Sequence, residues 1–323
     1  MKKINEDELD FEKQKNPNTF KWSYALFILL FILVTGYFLS SVISVFSGDS
    51  ADSSSGNVAL IPIEGEILAS SDSSSFFQNG ADSSTIIELI EKADKNPNVK
   101  AIIFEINSPG GSAVASAEIA DAIKKTNKTT VAWIREEGAS GAYWIASSTN
   151  HIVANRASIT GSIGVIASYL EFPGLLSRYN VTYERLVSGK YKDMGTPFRE
   201  LTGDEKAIMQ QSLDSIRDYF VTEVAKNRNM NKKDVEKIAN GLFYIGAQAK
   251  DLGLVDELGG KGEAVKYIEK KEGITAEISE YKKEKTLFDV LSKVMGEQSF
   301  EVGRGIGNSL VNQKASSKVS ITT

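Results

Sequence analysis

Short apolar strands alternate with amphipathic helices from Val58 onward, and this alternation constrains the fold of the 323-residue chain more than any other feature. The segments VALIPIEGEI, AIIFEI and TTVAWIRE are short and rich in β-branched residues, which is typical of buried strands. Between them, apolar residues recur at helical spacing from Ile86 to Ala93 and across Ala113 to Lys125. The pattern predicts an α/β fold, a parallel sheet with crossover helices.

Active sites in such folds lie at the carboxyl ends of the strands. Two further strands are predicted, HIVAN at 151–155 and VTYERLV at 181–187. Chemistry is therefore expected in the loops after AIIFEI, TTVAWIRE and VTYERLV. A long helix is predicted after the capping-box pair Thr202 and Glu205. Its apolar stripe consists of Met209, Leu213, Ile216, Phe220 and Val224.

The run from Trp22 to Phe46 contains no charged residue. A helix of ~20 apolar residues spans a bilayer core, whereas the apolar part of a cleaved signal peptide has only about 7–15. Several lysines precede the run, and the first Lys or Arg after it is Lys92. The positive-inside rule then predicts a cytoplasmic leader at 1–21, a transmembrane anchor at 22–46 and an extracytoplasmic main domain in the cell membrane.

The remaining boundaries follow from changes in composition. Residues 47–57 read SGDSADSSSGN, which predicts a flexible linker before a domain at 58–280. A second polar stretch, residues 70–84, is expected to be a surface loop. Residues 281–323 are predicted to be a C-terminal tail, with a short amphipathic helix from Thr286 to Met295.

Charge and composition exclude several classes of function. The formal net charge of −5 argues against a nucleic-acid surface, which needs a clustered basic face. The chain has no cysteine and a single histidine, His151, so thiolate sites and a Cys nucleophile are excluded. No cofactor and no metal are expected. His151 begins a predicted strand, and we interpret it as a strand-end residue rather than a catalytic one.

Two glycine-containing loops follow predicted strands. NSPGGS at 107–112 can point backbone N–H groups into a cleft, where they would stabilise an oxyanion, or it can be an ordinary turn. GASGAYW at 138–144 opens an apolar helix and contains Ser140. Ser140 can be a nucleophile at a helix N-terminus or merely the residue that caps the helix.

Two further motifs carry an amine and a hydroxyl. SGKYKDM at 188–194 contains two lysines, and a lysine acts as a base only where desolvation or nearby positive charge lowers its pKa. A solvated surface charge is the alternative for either of them. TGSIGV at 160–165 offers a hydroxyl that could orient a neutral amine, or it is a plain glycine-rich loop.

Together and in this order, NSPGGS, GASGAYWIA, TGSIGV and SGKYKDM resemble the successive motifs of the signal peptide peptidase A (SppA) family, which has a ClpP/crotonase-like fold. The likeness runs from about Val58 to Gly273, with one copy of the motif set, as in the short form of the family. It implies Ser140 as nucleophile, Lys192 as general base, Ser162 as the hydroxyl that orients the lysine and Gly111 as an oxyanion donor. Gly141 follows the nucleophile and is expected to donate a second N–H.

The resemblance implies a serine endopeptidase with a Ser-Lys dyad, which needs no histidine. Its expected substrates are remnant signal peptides and other unfolded hydrophobic peptides. The resemblance also implies a homo-oligomeric ring, an octamer, at the membrane. Two alternatives remain at this point: an acyl-CoA enzyme of the crotonase type, and a non-catalytic membrane scaffold of the same fold.

Overall fold

A computed structural model of the protein describes residues 17–48, 56–69 and 80–282. Within the first range, side chains are described at position 22, over 24–37 and at position 40. The chain divides into two compact units. One comprises Met1–Asp52 with Glu284–Thr323, and the other comprises Ser53–Lys283.

In the first unit, the described residues form one helix, α1, over Pro17–Gly48. Its described side chains are exposed, and the Thr35 hydroxyl donates to the Phe31 carbonyl at 2.7 Å. Where side chains are described, no helix combines the length and the apolar character needed to cross a membrane. Most of the predicted leader and linker, and the tail helix at Thr286, lie outside the described residues.

The second unit is built on a mainly parallel sheet. Its strands are, in chain order, β1 (Val58–Glu64), β2 (Glu66–Leu68), β3 (Gly80–Asp82), β4 (Ala101–Ser108), β5 (Thr129–Ala139), β6 (His151–Ala154), β7 (Ile159–Gly161), β8 (Phe243–Ile245), β9 (Glu257–Leu258) and β10 (Ile278–Glu280). The main sheet runs β10-β1-β4-β5-β6-β9, all parallel. β7 lies parallel to the end of β5, β8 is antiparallel to β7, and β2 and β3 form a separate pair.

The helices of the second unit cover the sheet. They are α2 (Ser83–Lys95), α3 (Ala113–Lys125), α4 (Gly141–Ser147), α5 (Pro173–Arg178), α6 (Gly203–Asn227), α7 (Lys232–Ile238), α8 (Gly246–Asp251) and α9 (Lys261–Glu272). Side chains alternate between the two faces of the sheet, as the strand period of two requires. Phe104 packs in the cluster that includes buried residues of α2, α3 and α4, whereas Ile103 packs with α9 on the opposite face.

Most elements predicted from the pattern are present, and the capping box of Thr202 and Glu205 at the start of α6 is confirmed. The predicted strand at 181–187 is wrong, because this segment pairs with no strand among the described residues and its own residues are exposed. The predicted loop at 70–84 is wrong at its end, since residues 80–84 form β3 and the start of α2. Its residues 70–79 lie outside the described ranges.

Residues 164–200, which we call the open segment, differ from the rest of the unit. The structure describes all of them, and none is buried. Several are large and apolar, including Ile166 and Leu186, which are 86% and 96% exposed. In the middle of the neighbouring helix α6, Ile216 of the predicted apolar stripe is also exposed, whereas Phe220 and Val224 further along are buried.

Candidate active site

Ser140 lies in a strained turn between β5 and α4. Its backbone has φ 53° and ψ −123°, which is rare for a residue with a side chain. The turn is held by two bonds, from Ser140 N–H to Gly161 O at 2.8 Å and from Trp144 N–H to Ser140 O at 3.0 Å. The Ser140 hydroxyl makes no capping bond to α4. Ser140 therefore occupies the N-cap position of α4, but its side chain does not cap the helix.

The glycine pair of NSPGGS fits closely against this turn. Gly110 has φ +100°, and a Cβ there would lie 2.7 Å from the Gly141 nitrogen and 2.9 Å from Ser140 Cβ. Gly111 pairs with Ile67 of β2, and a Cβ on Gly111 would collide with the Ile67 backbone. Only glycine fits at either position, because the backbone of each touches another segment directly.

The backbones of Gly111 and Gly141 lie close together at this junction. The Gly111 nitrogen is 3.4 Å from the point that a Cβ on Gly141 would occupy. Among the described residues, no backbone carbonyl in a turn or loop accepts a hydrogen bond from either N–H. Gly141 is the first residue of α4, so its N–H has no acceptor within the helix either. Two unpaired donors beside a hydroxyl form an arrangement that can stabilise a tetrahedral oxyanion.

A cavity of about 710 Å³ opens at this point. Four residues singled out from the sequence line it: Gly111, Ser140, Gly141 and Ser162. The other lining residues are Ser112, Ala113, Trp144, Gly164, Val165, Ile166, Arg217, Phe220, Ala239, Asn240 and Gly241. The ring of Trp144 stacks on that of Phe220 at 4.7 Å, which gives part of the cavity an aromatic wall.

Ser162 reaches the cavity from the loop after β7. Strand β7 pairs with the last residues of β5, so the TGSIGV motif follows directly beside the Ser140 turn. The Ser162 hydroxyl donates to Gly241 O at 3.3 Å, and its N–H donates to Leu242 O at 3.0 Å. Within a single chain, Ser162 is therefore hydrogen-bonded to the 240–242 loop and not to a lysine.

Lys192 does not line the cavity, and its side chain is exposed in the open segment. Lys190 lies nearby with its amine 3.5 Å from Asp204 and 4.8 Å from the Tyr191 ring. The structure thus brings together the predicted nucleophile, both predicted oxyanion donors and the predicted orienting hydroxyl. The predicted general base stands apart from them within one chain.

A network of charges fixes the loop that carries Lys192. Asp193 accepts from Arg185 at 2.6 Å and from Arg199 at 2.9 Å, and Arg199 also binds Glu205 at 2.6 Å. Hydrogen bonds from Arg185 and Arg199 hold the pKa of Asp193 far below its usual range. Bonds from Arg199, together with the Thr202 backbone, lower the pKa of Glu205 to about 2. The loop is thereby tied to the start of α6.

His151 lies in another part of the unit. Its ring stacks on Tyr267 at 3.9 Å, and its Nε2 lies 3.3 Å from a Glu257 carboxylate oxygen. Among the described residues, no group of three or more His, Asp or Glu side chains is arranged to hold a metal ion. Sequence reasoning missed Arg217 and the 240–241 loop as cavity residues, because nothing local in their sequence marks them. It singled out the GASGAYW motif that contains Trp144 but gave Trp144 no role of its own.

A strained serine beside unpaired backbone N–H groups, at the carboxyl ends of parallel strands, is the arrangement of a serine hydrolase. Comparison with known proteins identifies the group. The model of peptidase family S49 matches residues 122–275. A provisionally named protease of Methanocaldococcus jannaschii is 32% identical, over 89% of this chain and 94% of that protein.

Other relatives agree. A provisionally named signal peptide peptidase SppA of Enterococcus faecium is 34% identical, over 72% of this chain and 68% of that protein. Protease 4 of Haemophilus influenzae is 33% identical, over 66% of this chain but only 34% of its own length. The chain belongs to peptidase family S49, in the SppA group, and is a serine peptidase.

Proposed function

We propose that this protein is a membrane-anchored endopeptidase with a ClpP/crotonase-like fold and a Ser140–Lys192 dyad, which degrades remnant signal peptides and other unfolded hydrophobic peptides. The observation that carries the proposal is the Ser140 turn. Its hydroxyl is free of the helix cap, it opens onto a large cavity, and the N–H groups of Gly111 and Gly141 lie beside it.

In the proposed reaction, the neutral Lys192 amine takes the Ser140 proton as the hydroxyl oxygen bonds to the peptide carbonyl carbon. The N–H groups of Gly111 and Gly141 hold the oxyanion. Lys192 gives the proton to the leaving amine as the C–N bond breaks. It then deprotonates water, which attacks the acyl carbon, and Ser140 recovers its proton. Ser162 orients the amine.

The position of Lys192 supports the proposed ring. In one chain Lys192 is exposed and absent from the cavity lining, whereas a lysine base must be desolvated to act. The open segment also exposes many large apolar side chains, and clustered exposed apolar surface marks interaction sites. We propose that this segment packs on a neighbouring copy in a homo-oligomer, an octamer by family resemblance, and thereby completes the dyad across the boundary.

The cavity supports hydrophobic peptides as substrates. Its aromatic wall of Trp144 and Phe220, with Val165 and Ile166 at its edge, gains free energy by burying apolar side chains. The E. faecium relative is named a signal peptide peptidase, and remnant signal peptides have apolar cores. A preference for small or apolar residues at the cleavage site is therefore part of the proposal.

The proposed anchor rests on the sequence of the first unit. The uncharged run from Trp22 to Phe46 falls within α1, and the lysines concentrate on its N-terminal side. A single-pass anchor with a cytoplasmic N-terminus would hold the peptidase unit outside the cytoplasm. There it would meet signal peptides near the bilayer in which they are left.

Two measurements on the full-length protein in detergent test the proposal. A serine-reactive fluorophosphonate should label Ser140, and a hydrophobic signal-peptide sequence should be cleaved within its apolar core, with the products identified by mass. Ser140→Ala should abolish both signals, and Ser148→Ala is the matched control because Ser148 ends α4 and does not line the cavity. Labelling of Ser140→Ala at the wild-type rate, or cleavage by it, would contradict the assignment.

A further inference from the structure

One cation lines the cavity that contains Ser140. Arg217 projects from α6 and is half-buried, and it shares the cavity with the aromatic wall and the Ser140 turn. The peptidase reaction as proposed gives this residue no task. A guanidinium that is partly buried in a pocket loses hydration, which hydrogen bonds or an ion pair must compensate.

The hydrogen bonds of Arg217 satisfy only some of its donors, and its charge has no ion-pair partner among the described residues. Its Nε and Nη2 atoms both donate to Ala239 O, at 3.0 and 2.6 Å. A guanidinium has five N–H donors, so the two on Nη1 and one on Nη2 remain without an acceptor among the described residues. No carboxylate of those residues forms an ion pair with Arg217, since Asp218 on the next position binds Lys232 instead.

The geometry points to a carboxylate-binding subsite: we propose that Arg217 binds a carboxylate of the peptide substrate inside the Ser140 cavity. The bond to Ala239 O fixes one edge of the guanidinium and leaves the Nη1–Nη2 edge for an incoming group. That edge matches the two oxygens of a carboxylate, and such bidentate pairs are among the strongest hydrogen bonds in proteins. The cavity, at about 710 Å³, has room for a short peptide segment.

The carboxylate has two sources, the free C-terminus of a peptide and an acidic side chain. The aromatic wall of the cavity suits apolar side chains, which favours the C-terminus. This part of the inference rests on the proposed function, because signal-peptide cleavage leaves a remnant with a new terminal carboxylate. Arg217 would then let the enzyme distinguish a released remnant from an uncut precursor.

Matched peptides test the subsite in the full-length protein. One hydrophobic sequence is made with a free C-terminal acid and with a C-terminal amide, and each form carries Glu or Gln near the cleavage site. The wild type should show a kcat/KM about tenfold higher for the acid than for the amide, which is the effect of one charged hydrogen-bonded contact. Arg217→Gln should bring this ratio close to one. Arg156→Gln, an exposed arginine outside both the cavity and the open segment, should leave it unchanged.

A second outcome is that the wild type cleaves the Glu peptides faster than the Gln peptides, whatever their C-terminus. If Arg217→Gln abolishes that difference, the carboxylate that Arg217 binds is an acidic side chain. Equal cleavage of all four peptides by the wild type overturns the subsite and leaves the proposed peptidase function intact. If no peptide is cleaved, the proposed function fails, and binding of the same peptides to Ser140→Ala decides the subsite. About tenfold tighter binding of a carboxylate form, dependent on Arg217, supports it, and equal affinity overturns it.

Discussion

The sheet and the open segment use similar side chains in opposite ways. In the sheet, Ile61, Phe104 and Ile134 are completely buried between helices and strands of the same chain. In the open segment, residues 164–200, Leu186 and Tyr179 are 96% and 71% exposed. One chain buries the apolar side chains of the sheet, whereas it leaves those of the open segment exposed. Under the proposed function, folding of one chain positions Ser140, whereas association with a second copy would position Lys192.

The largest expected effect tests where the base comes from. Lys192→Ala should lower kcat for peptide cleavage about 10²–10⁴-fold, which is the usual contribution of a positioned general base. Lys190→Ala and His151→Ala should retain near-normal kcat, because Lys190 contacts Asp204 and Tyr191 and His151 lies against Tyr267. Near-normal turnover by Lys192→Ala would remove the dyad.

The second prediction contrasts the two regions by stability. Phe104→Ala should lower the free energy of unfolding by about 3–5 kcal/mol, because it leaves a cavity in the buried core. Leu186→Asp should leave secondary structure unchanged but reduce the mass of the assembly, since a charge opposes burial at an interface. Urea unfolding and light scattering measure the two. An unchanged assembly mass in Leu186→Asp would mean that the open segment is not an interface.

The third prediction concerns the turn that holds the nucleophile. Gly110→Ala should lower the rate of fluorophosphonate labelling about 100-fold, since its Cβ would displace the Ser140 turn and small misplacements are costly. The matched control is Gly262→Ala in α9, outside the open segment, where nothing lies within 4 Å of the added Cβ. Equal labelling of the two variants would mean that the turn tolerates the displacement.

The smallest expected effect is loosening of the Lys192 loop in acid. Glu205 has a pKa of about 2 in the folded protein against about 4.3 in an unfolded chain. A depressed pKa contributes stability above the unfolded value, and this contribution is lost as pH falls from about 5 towards 2. Asp193 acts with the same sign. Hydrogen exchange over 183–205, corrected for its intrinsic pH dependence, should rise several-fold in this range.

The control for this effect is Arg199→Gln, which removes the shared partner of Asp193 and Glu205. Its loop should exchange faster already at neutral pH and respond less to acid. Exchange that stays flat from pH 5 to 2 in the wild type would show that the charge network does not hold the loop.

Much of the sheet was predictable because its strands carry their own signal. The runs at 58–64, 101–108 and 129–139 are short, rich in β-branched residues and bounded by polar turns. Each forms a largely buried strand. The segment at 181–187 has a comparable composition but pairs with no strand in the part of the chain that the structure describes. The composition of a segment indicates only that it can form a β-strand. Whether another strand lies beside it to pair with is decided by the tertiary structure.

The site divides in the same way. The sequence by itself determined the loop order, the glycine pair and Ser140, because these are local features at the ends of strands. The tertiary structure alone decided that the Ser140 hydroxyl makes no hydrogen bond to the start of α4. It also decided that Arg217 lines the cavity beside Ser140 and that Lys192 does not. Those facts depend on contacts between residues far apart in the chain, such as Arg217 with Ala239 and Gly110 with Gly141, and no local pattern encodes such distances.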